Sequence, residues 1–206
     1  MSSIESSSQQ EEADVESGED ERRELDPATR ARRDAALEHV HKFGDPVLRT
    51  RAREVKRFDE VLEAEVDQMG RIMDDALGVG LAATQVGRLS RVLVYRVAED
   101  SPLVALVNPE IEWASEETEL DQEGCLSLPG VLVDVERPAR IRVKAQDQRG
   151  DFVLLDADDL EARVIQHEID HLDGVLILDR ASREQRKQAM KALREAEAAA
   201  ASRRER

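Results

Sequence analysis

Two histidines four residues apart, with a glutamate directly after the first, form a pattern that could do metal chemistry. Residues 167–171 read His-Glu-Ile-Asp-His. On an α-helix, residues four apart lie on one face, so His167 and His171 can reach the same metal ion. Glu168 lies about 100° round the helix, where it can act as a general base on water, as in the His-Glu-x-x-His motif. The alternative is that both histidines are ordinary helix residues.

The helix that would carry this motif is predicted to be buried. Within residues 158–172, apolar side chains spread over most of the helix surface and leave only a narrow polar strip, formed by Arg163, Gln166, Asp170 and Asp173. A helix that is apolar nearly all round belongs in a protein core. Because an unpartnered buried polar group costs about 1–3 kcal/mol, two histidines and a glutamate there need a strong partner. A metal ion would supply one.

Cys125 is the candidate for a third ligand, since catalytic metal sites commonly have three protein ligands and one open position. No histidine follows His171, which excludes the metzincin pattern, and Glu184 lies in a segment that we expect to be exposed. Cys125 is the only cysteine, and the residues around it, 123–129, are expected to form a loop. The alternative is that Cys125 is a small buried hydrophobe.

Several helices are predicted around this motif. Residues 59–77 have an amphipathic repeat, and Gly78 is expected to end that helix in the left-handed region. A shorter helix is predicted over residues 27–41, and a charged helix over residues 181–202.

Short β-rich runs separate these helices, at residues 91–97, 103–107, 131–136, 140–146 and 152–155. Strands grouped between helices predict an α+β domain over residues 35–180. We expect small mixed or antiparallel sheets around a central metal-binding helix, followed by a C-terminal helix and tail over residues 181–206.

The N-terminal segment is strongly acidic. Residues 1–28 contain ten Asp or Glu and two Arg, which is half of the net charge of −16. Such a segment buries too little apolar surface to order itself, so residues 1–34 are expected to form a disordered extension. The overall acidity argues against binding to DNA, and no apolar run approaches the roughly 20 residues that cross a membrane. No secretory signal is evident, so we expect a soluble, cytoplasmic protein.

A glycine-rich segment completes a set of three motifs. Residues 78–85 read Gly-Val-Gly-Leu-Ala-Ala-Thr-Gln, which alone predicts only a turn. Together with Glu-Gly-Cys-Leu-Ser at 123–127 and Gln-His-Glu-Ile-Asp-His-Leu at 166–172, it makes the chain resemble the peptide deformylase family. The three motifs stand in the family's order, and the resemblance extends over residues 40–180.

The resemblance implies removal of the formyl group from the N-terminal formylmethionine of new polypeptides. It implies one divalent metal, with Fe²⁺ favoured and Zn²⁺, Ni²⁺ or Co²⁺ tolerated. By position it assigns Cys125, His167 and His171 to the metal, Glu168 to acid–base catalysis, Gln85 and the N–H of Leu126 to the developing oxyanion, and Val79, Gly80 and Leu81 to the substrate backbone. Leu128 and Val79 could line a methionine pocket, with core packing as the alternative.

Two further questions stay open at this stage. Residues 180–206 hold nine Lys or Arg against four Asp or Glu, so the C-terminal helix could dock on ribosomal RNA or simply be a solvated helix. The His-Glu-x-x-His motif alone also fits a metallopeptidase. A third reading is a binding module that has kept the fold and lost activity, but every expected ligand and Glu168 are present.

Overall fold

The structure, a computed structural model, describes residues 25–98 and 100–204. Residues 1–24 of the expected disordered extension lie outside the described residues. Residues 27–34, which we had assigned both to that extension and to a helix over residues 27–41, are helical rather than disordered and belong to α1 (Pro27–Leu37). The predicted helix begins where expected and ends four residues earlier, and it forms because the Asp26 side chain accepts hydrogen bonds from its first turn and Pro27 occupies the first helical position.

Five strands form one antiparallel sheet in the order β1-β2-β3-β6-β7. They are β1 (Gly80–Ala82), β2 (Val92–Tyr95), β3 (Val104–Ala114), β6 (Arg140–Gln146) and β7 (Phe152–Asp158). A separate hairpin joins β4 (Thr118–Cys125) to β5 (Leu128–Pro138). The predicted α+β fold class is confirmed, and its sheets are antiparallel.

Two helices pack on opposite faces of the five-stranded sheet. Strand β2 shows this directly, because Leu93 and Tyr95 join the core beneath α3 (Asp159–Leu172), whereas Val92 and Val94 join the core beneath α2 (Glu60–Asp75). A strand covered on both faces has no polar side to show, which explains its continuous apolar sequence. Helix α3 also contacts β5 of the hairpin, so it lies at the centre of the molecule.

The C-terminal part packs on the hairpin. Helix α4 (Ile177–Arg180) and the charged helix predicted at the C-terminus, α5 (Arg183–Arg204), cover the apolar face of β5. Ala189 and Leu193 of α5 are buried there. Within the part of the chain that the structure describes, no helix has the length and apolar character needed to span a membrane.

The end of α2 differs from the prediction in one residue. Leu77, with φ of 59°, takes the left-handed position that we had given to Gly78. The helix stops at Asp75, so the left-handed position falls on Leu77, and the N–H of Gly78 then donates to the carbonyl of Met73 at 2.9 Å. This is the bond that closes a Schellman motif.

Strand β4 was not predicted, and β1 was expected only through the resemblance, which places a strand-like edge at Val79, Gly80 and Leu81. Strand β4 is exposed over most of its length and shows no apolar alternation, so its sequence carries no period-2 signal. Cys125 is the last residue of β4 and Leu128 is the first of β5, so the loop predicted over residues 123–129 is wrong at both ends and only a turn at residues 126–127 remains. Strand β1 has only three residues, all buried, which is too short for a periodic pattern.

Candidate active site

The three residues assigned to the metal converge although they come from two elements. Cys125 ends β4, and His167 and His171 lie one turn apart on α3. The Cys125 Sγ lies 3.2 Å from Nε2 of His171, and the donor atoms of all three residues lie within 4.8 Å of one another. A tetrahedral ion about 2.3 Å from sulfur and about 2.0 Å from nitrogen needs donors roughly 3.5 Å apart. One thiolate and two imidazoles at this spacing fit a single metal ion.

A carboxylate orients the first histidine. Nδ1 of His167 lies 2.9 Å from Oε2 of Glu123, so Nε2 is the ring nitrogen left to face the metal position. Metal-binding histidines commonly have such a partner, which fixes their tautomer and ring orientation. Burial opposes ionisation of Glu123, but the hydrogen bonds from Arg137 and His167 outweigh it and hold the pKa of Glu123 well below its usual value.

Glu123 belongs to a buried ionic network that joins the hairpin to α3. Arg137 of β5 donates to both oxygens of Glu123, at 2.6 and 2.8 Å, and also to Asp170 of α3 at 2.9 Å. Arg163 donates to Glu123 at 2.9 Å, and Arg180 donates to Asp170.

Arg163, Gln166 and Asp170 of the polar strip predicted on α3 are buried against the hairpin, whereas Asp173 at the end of the strip is exposed. The charged side chains of Arg163 and Asp170 therefore join α3 to the hairpin through buried ion pairs.

The sulfur of Cys125 has two hydrogen-bond donors besides the histidines. The N–H of Ser127 lies 3.4 Å from Sγ, and Nε2 of Gln85 lies 3.6 Å from it. The other end of the Gln85 amide accepts from the N–H of Ala82 at 2.8 Å, which fixes its orientation. Burial raises the pKa of the Cys125 thiol, but His171 and His167 lower it more, and the net pKa lies well below the usual value. The thiolate, the form that binds metals, is thus favoured.

Three buried side-chain polar atoms lack a partner in the described part of the chain, and two of them belong to this site, Oε2 of Glu168 and Nδ1 of His171. The third is Nε of Arg96, directly after β2 and away from this site. Buried polar atoms are nearly always hydrogen-bonded, so an orphan pair beside a cluster of metal-type donors indicates that the site is built for additional groups. Burial also raises the pKa of Glu168, the expected general base. A water molecule at the metal position would be the partner that Oε2 of Glu168 lacks. Nδ1 of His171 lies on the other side of the ring from Nε2, the nitrogen that faces Cys125, so it needs a separate partner.

The site opens into a cleft of about 830 Å³ that contains most of the other predicted residues. Val79, Gly80, Gln85, Leu126 and Leu128 line it, together with His167 and Glu168. The Leu81 side chain is fully buried in the core against α2, so only its backbone is available to a substrate. Strand β1 is the outer strand of its sheet and pairs with β2 alone among the described strands, which leaves its second edge for an extended peptide.

Sequence reasoning missed part of the cleft wall. Arg33 and Leu37 of α1 line the cleft although they lie in or beside the segment expected to be disordered. The role of Glu123 was also missed, although it stands two residues before Cys125 within one of the quoted motifs. Its separation of 44 residues from His167 leaves no local pattern that could connect the two.

A buried central helix bearing His-Glu-x-x-His, with a cysteine brought beside it from a hairpin, defines a metal-dependent hydrolase. The model of the family described as polypeptide deformylase matches residues 37–187. The chain belongs to the peptide deformylase family. This match includes all three motifs and leaves the metallopeptidase alternative without support.

Individual relatives agree with this assignment. The peptide deformylase of Thermotoga neapolitana is 50% identical over 141 residues, which are 68% of this chain and 85% of the relative. That of Acidothermus cellulolyticus is 48% identical over 162 residues, 79% of this chain and 88% of the relative.

Solved structures of the family share the fold. The peptide deformylase of Synechococcus elongatus in complex with actinonin is similar with a TM-score of 0.72 and 44% identity, over 74% of this chain and 85% of that one. The Thermotoga maritima peptide deformylase gives a TM-score of 0.67 and 49% identity, over 69% and 96% of the two chains.

Proposed function

We propose that this protein removes the formyl group from the N-terminal formylmethionine of newly made polypeptides and releases formate. The observation that carries the proposal is the convergence of Cys125, His167 and His171 beside the buried carboxylate of Glu168, at the base of a peptide-sized cleft. The rest of the cleft suits such a substrate, since it offers one strand edge, one apolar wall and few uncompensated charges.

The chain would hold the substrate by its backbone and by its first side chain. The open edge of β1 offers backbone groups of Gly80 and Leu81 to an extended peptide, and Val79 lies directly before the strand. Beside it, Val79 and Leu128 give the cleft an apolar surface that suits a methionine side chain. Only the backbone is read along β1, so chains of many different sequences can be bound in the same register.

The chemical step divides between the metal and the chain. When bound, the metal supplies a Lewis acid that makes water available as a nucleophile near neutral pH. Glu168 accepts the proton of that water and passes it to the departing amine, a role helped by its raised pKa. The Gln85 amide and the Leu126 N–H donate to the formyl oxygen as negative charge develops on it, and one such donor commonly contributes about 10²–10³ in rate.

Fe²⁺ is the proposed resident metal, and Zn²⁺, Ni²⁺ and Co²⁺ are proposed substitutes. One thiolate and two imidazoles are borderline-soft donors that accept all four ions, so the donor set does not choose between them. Metal analysis of protein purified without oxygen distinguishes the four. Iron in substoichiometric amount together with a full complement of zinc would contradict the assignment of iron.

Formate release from formyl-Met-Ala-Ser by the full-length chain tests the reaction itself. Wild-type protein is expected to release one formate per peptide and leave the peptide bonds intact. Cys125→Ala is expected to lose both the metal and the activity, whereas Lys56→Met, a change at an exposed residue away from the cleft, should alter neither. Cleavage of internal peptide bonds without formate would overturn the proposal in favour of a metallopeptidase.

We also propose that the enzyme works in the cytoplasm and docks on the ribosome through α5. One side of α5 is buried on β5 through Ala189 and Leu193, and its exposed side carries cationic residues, namely Arg183, Arg186, Lys187, Lys191 and Arg194. Exposed cations in one row suit a phosphate backbone. Replacing these five residues with glutamine should abolish co-sedimentation with ribosomes at low salt and leave formate release from a tripeptide unchanged. Unchanged sedimentation would refute docking.

A further inference from the structure

Lys42 is a half-buried cation close to the metal-type cluster that the reaction described above does not use. Its Nζ donates to two backbone carbonyls, that of Leu37 at 2.9 Å and that of Leu126 at 3.3 Å. It forms no ion pair with a carboxylate in the described part of the chain. A cation taken partly out of water needs compensation: burial lowers the pKa of Lys42, and the negative charge of Cys125 opposes this shift.

The link between the two runs through a single peptide unit. The carbonyl of Leu126 and the N–H of Ser127 belong to the same peptide bond. The carbonyl end accepts from Lys42 at 3.3 Å, and the N–H end donates to Cys125 Sγ at 3.4 Å. Hydrogen bonds in such a chain polarise one another, and a bond to a charged donor is stronger than one between neutral groups. Lys42 therefore strengthens the hydrogen bond that the sulfur receives.

The same contact restrains the turn between β4 and β5. Lys42 holds the carbonyl end of the Leu126–Ser127 peptide and the sulfur holds its N–H end, and the expected oxyanion donor, the N–H of Leu126, belongs to the peptide directly before it. A simpler role for Lys42 is to stabilise the C-terminus of α1, since a cation there satisfies the last carbonyls, here that of Leu37. That simpler role predicts an effect on stability and none on the sulfur.

We propose that Lys42 is a positioning residue that polarises the Leu126–Ser127 peptide and thereby reduces electron donation from the Cys125 thiolate to the metal. The inference rests on the proposed assignment of Cys125 as a metal ligand. Hydrogen bonds to ligand sulfur tune the electronic properties of thiolate metal sites, so the effect can be read at the sulfur–metal bond itself.

The test compares the thiolate-to-metal charge-transfer band of Co²⁺-loaded full-length protein between wild type and three variants. Lys42→Met removes the charge and the donor, Lys42→Arg retains both, and Lys56→Met is the matched loss of an exposed lysine. Lys42→Met should shift the band to longer wavelength, because a sulfur with a weaker hydrogen bond donates more readily. Its formate release should fall about 10-fold. Lys42→Arg and Lys56→Met should retain the wild-type band.

A wild-type band in Lys42→Met, together with a lowered unfolding temperature, would overturn the proposal and leave the helix-end role. If Lys42→Met does not fold, Lys42→Gln takes its place, with the same shift expected and the same overturning result. Wild-type protein without a charge-transfer band would refute the ligand assignment and this inference with it. If wild-type protein shows a normal band but releases no formate, the proposed function is refuted. The inference about Lys42 is then still decided by the band of Lys42→Met.

Discussion

The carboxylate of Glu168 fills the space that a Cβ on Gly80 would occupy. An added Cβ would also lie 2.9 Å from Cγ1 of Val164, one turn earlier on α3. The glycine of β1 therefore lets α3 pack close enough for the expected general base to lie against the strand edge. The resemblance had assigned Gly80 only to binding of the substrate backbone. The structure adds that the enzyme's own glutamate already uses this space.

Gly80→Ala should displace the Glu168 carboxylate and reduce kcat/KM for formyl-Met-Ala-Ser by about 10²-fold, the usual consequence of a misplacement near 1 Å. The metal content should stay near wild type because no ligand moves directly. Gly70→Ala, in the middle of α2, is the matched control. Its new methyl group meets only the flexible end of the Leu103 side chain. Steady-state formate release measures both variants, and wild-type kinetics in Gly80→Ala would show that the carboxylate position is not constrained by β1.

Glu168→Gln tests the proton transfer with the least change in shape. The amide occupies the same space and cannot accept the proton of the attacking water, so kcat should fall by about 10²–10⁴. The protein should still bind its metal and unfold at or above the wild-type temperature, because a buried carboxylate with an unpartnered oxygen is removed. Metal analysis and formate release on the same sample decide the matter, and near-normal turnover would remove Glu168 from the mechanism.

The fold class and the local motifs could be predicted because they depend on neighbouring residues. The spacing of His167 and His171 is a property of one helix turn. Strand β2 is predicted by its uninterrupted apolar run. Strand β4 could not be predicted, because it is held by its ladder with β5 and buries almost none of its side chains. A pairing whose energy lies in backbone hydrogen bonds leaves no period-2 pattern of apolar side chains in the sequence, even when the partner is the next strand of the hairpin.

The contacts that position the site residues could not be predicted from the sequence either. Arg163 and Asp170 have the composition of a solvated helix face, and only the approach of the hairpin, with Arg137 and Glu123, makes that face an interior one. The same holds for Lys42, whose sequence neighbours gave no reason to place it near Cys125. In each case the partner is more than 25 residues away along the chain.

Arg137→Met should be strongly destabilising because it leaves Glu123 and Asp170 buried with fewer cations. Removing one partner from a buried ion pair commonly costs about 3–5 kcal/mol in the free energy of unfolding. Arg140→Met, a nearby arginine whose pair with Glu117 is exposed on both sides, should cost no more than about 1 kcal/mol. Urea denaturation of the two variants and wild type measures the difference. Equal effects would show that the buried network adds nothing beyond a surface pair.

Asp179 is predicted to make the stability of the protein depend on acidity. Burial raises its pKa, but the hydrogen bonds from Arg49 and from the N–H of Leu176 outweigh this, so the folded-state pKa is lowered. A lowered carboxyl pKa stabilises the fold fully above the unfolded value, about 3.9, and this contribution is lost as the pH falls through the folded-state value. Between pH 5 and pH 3, wild-type protein should therefore lose more unfolding free energy than Asp179→Asn. Metal release in acid affects both proteins alike, and parallel pH profiles would contradict the prediction.

Arg33 should influence which formylated chains are processed fastest. It lines the cleft from α1, just before the region shared with the family, and it pairs with no carboxylate among the described residues. Its charge is therefore available to a substrate side chain beyond the methionine. Formyl-Met-Asp-Ser should be cleaved about five-fold faster than formyl-Met-Lys-Ser, the effect of roughly 1 kcal/mol across a solvated cleft.

Arg33→Glu should reverse this order, whereas Arg32→Glu, whose native side chain pairs with Asp75 outside the cleft, should preserve it. Equal kcat/KM values for the two peptides in wild type and Arg33→Glu would show that α1 forms part of the wall without reading the substrate.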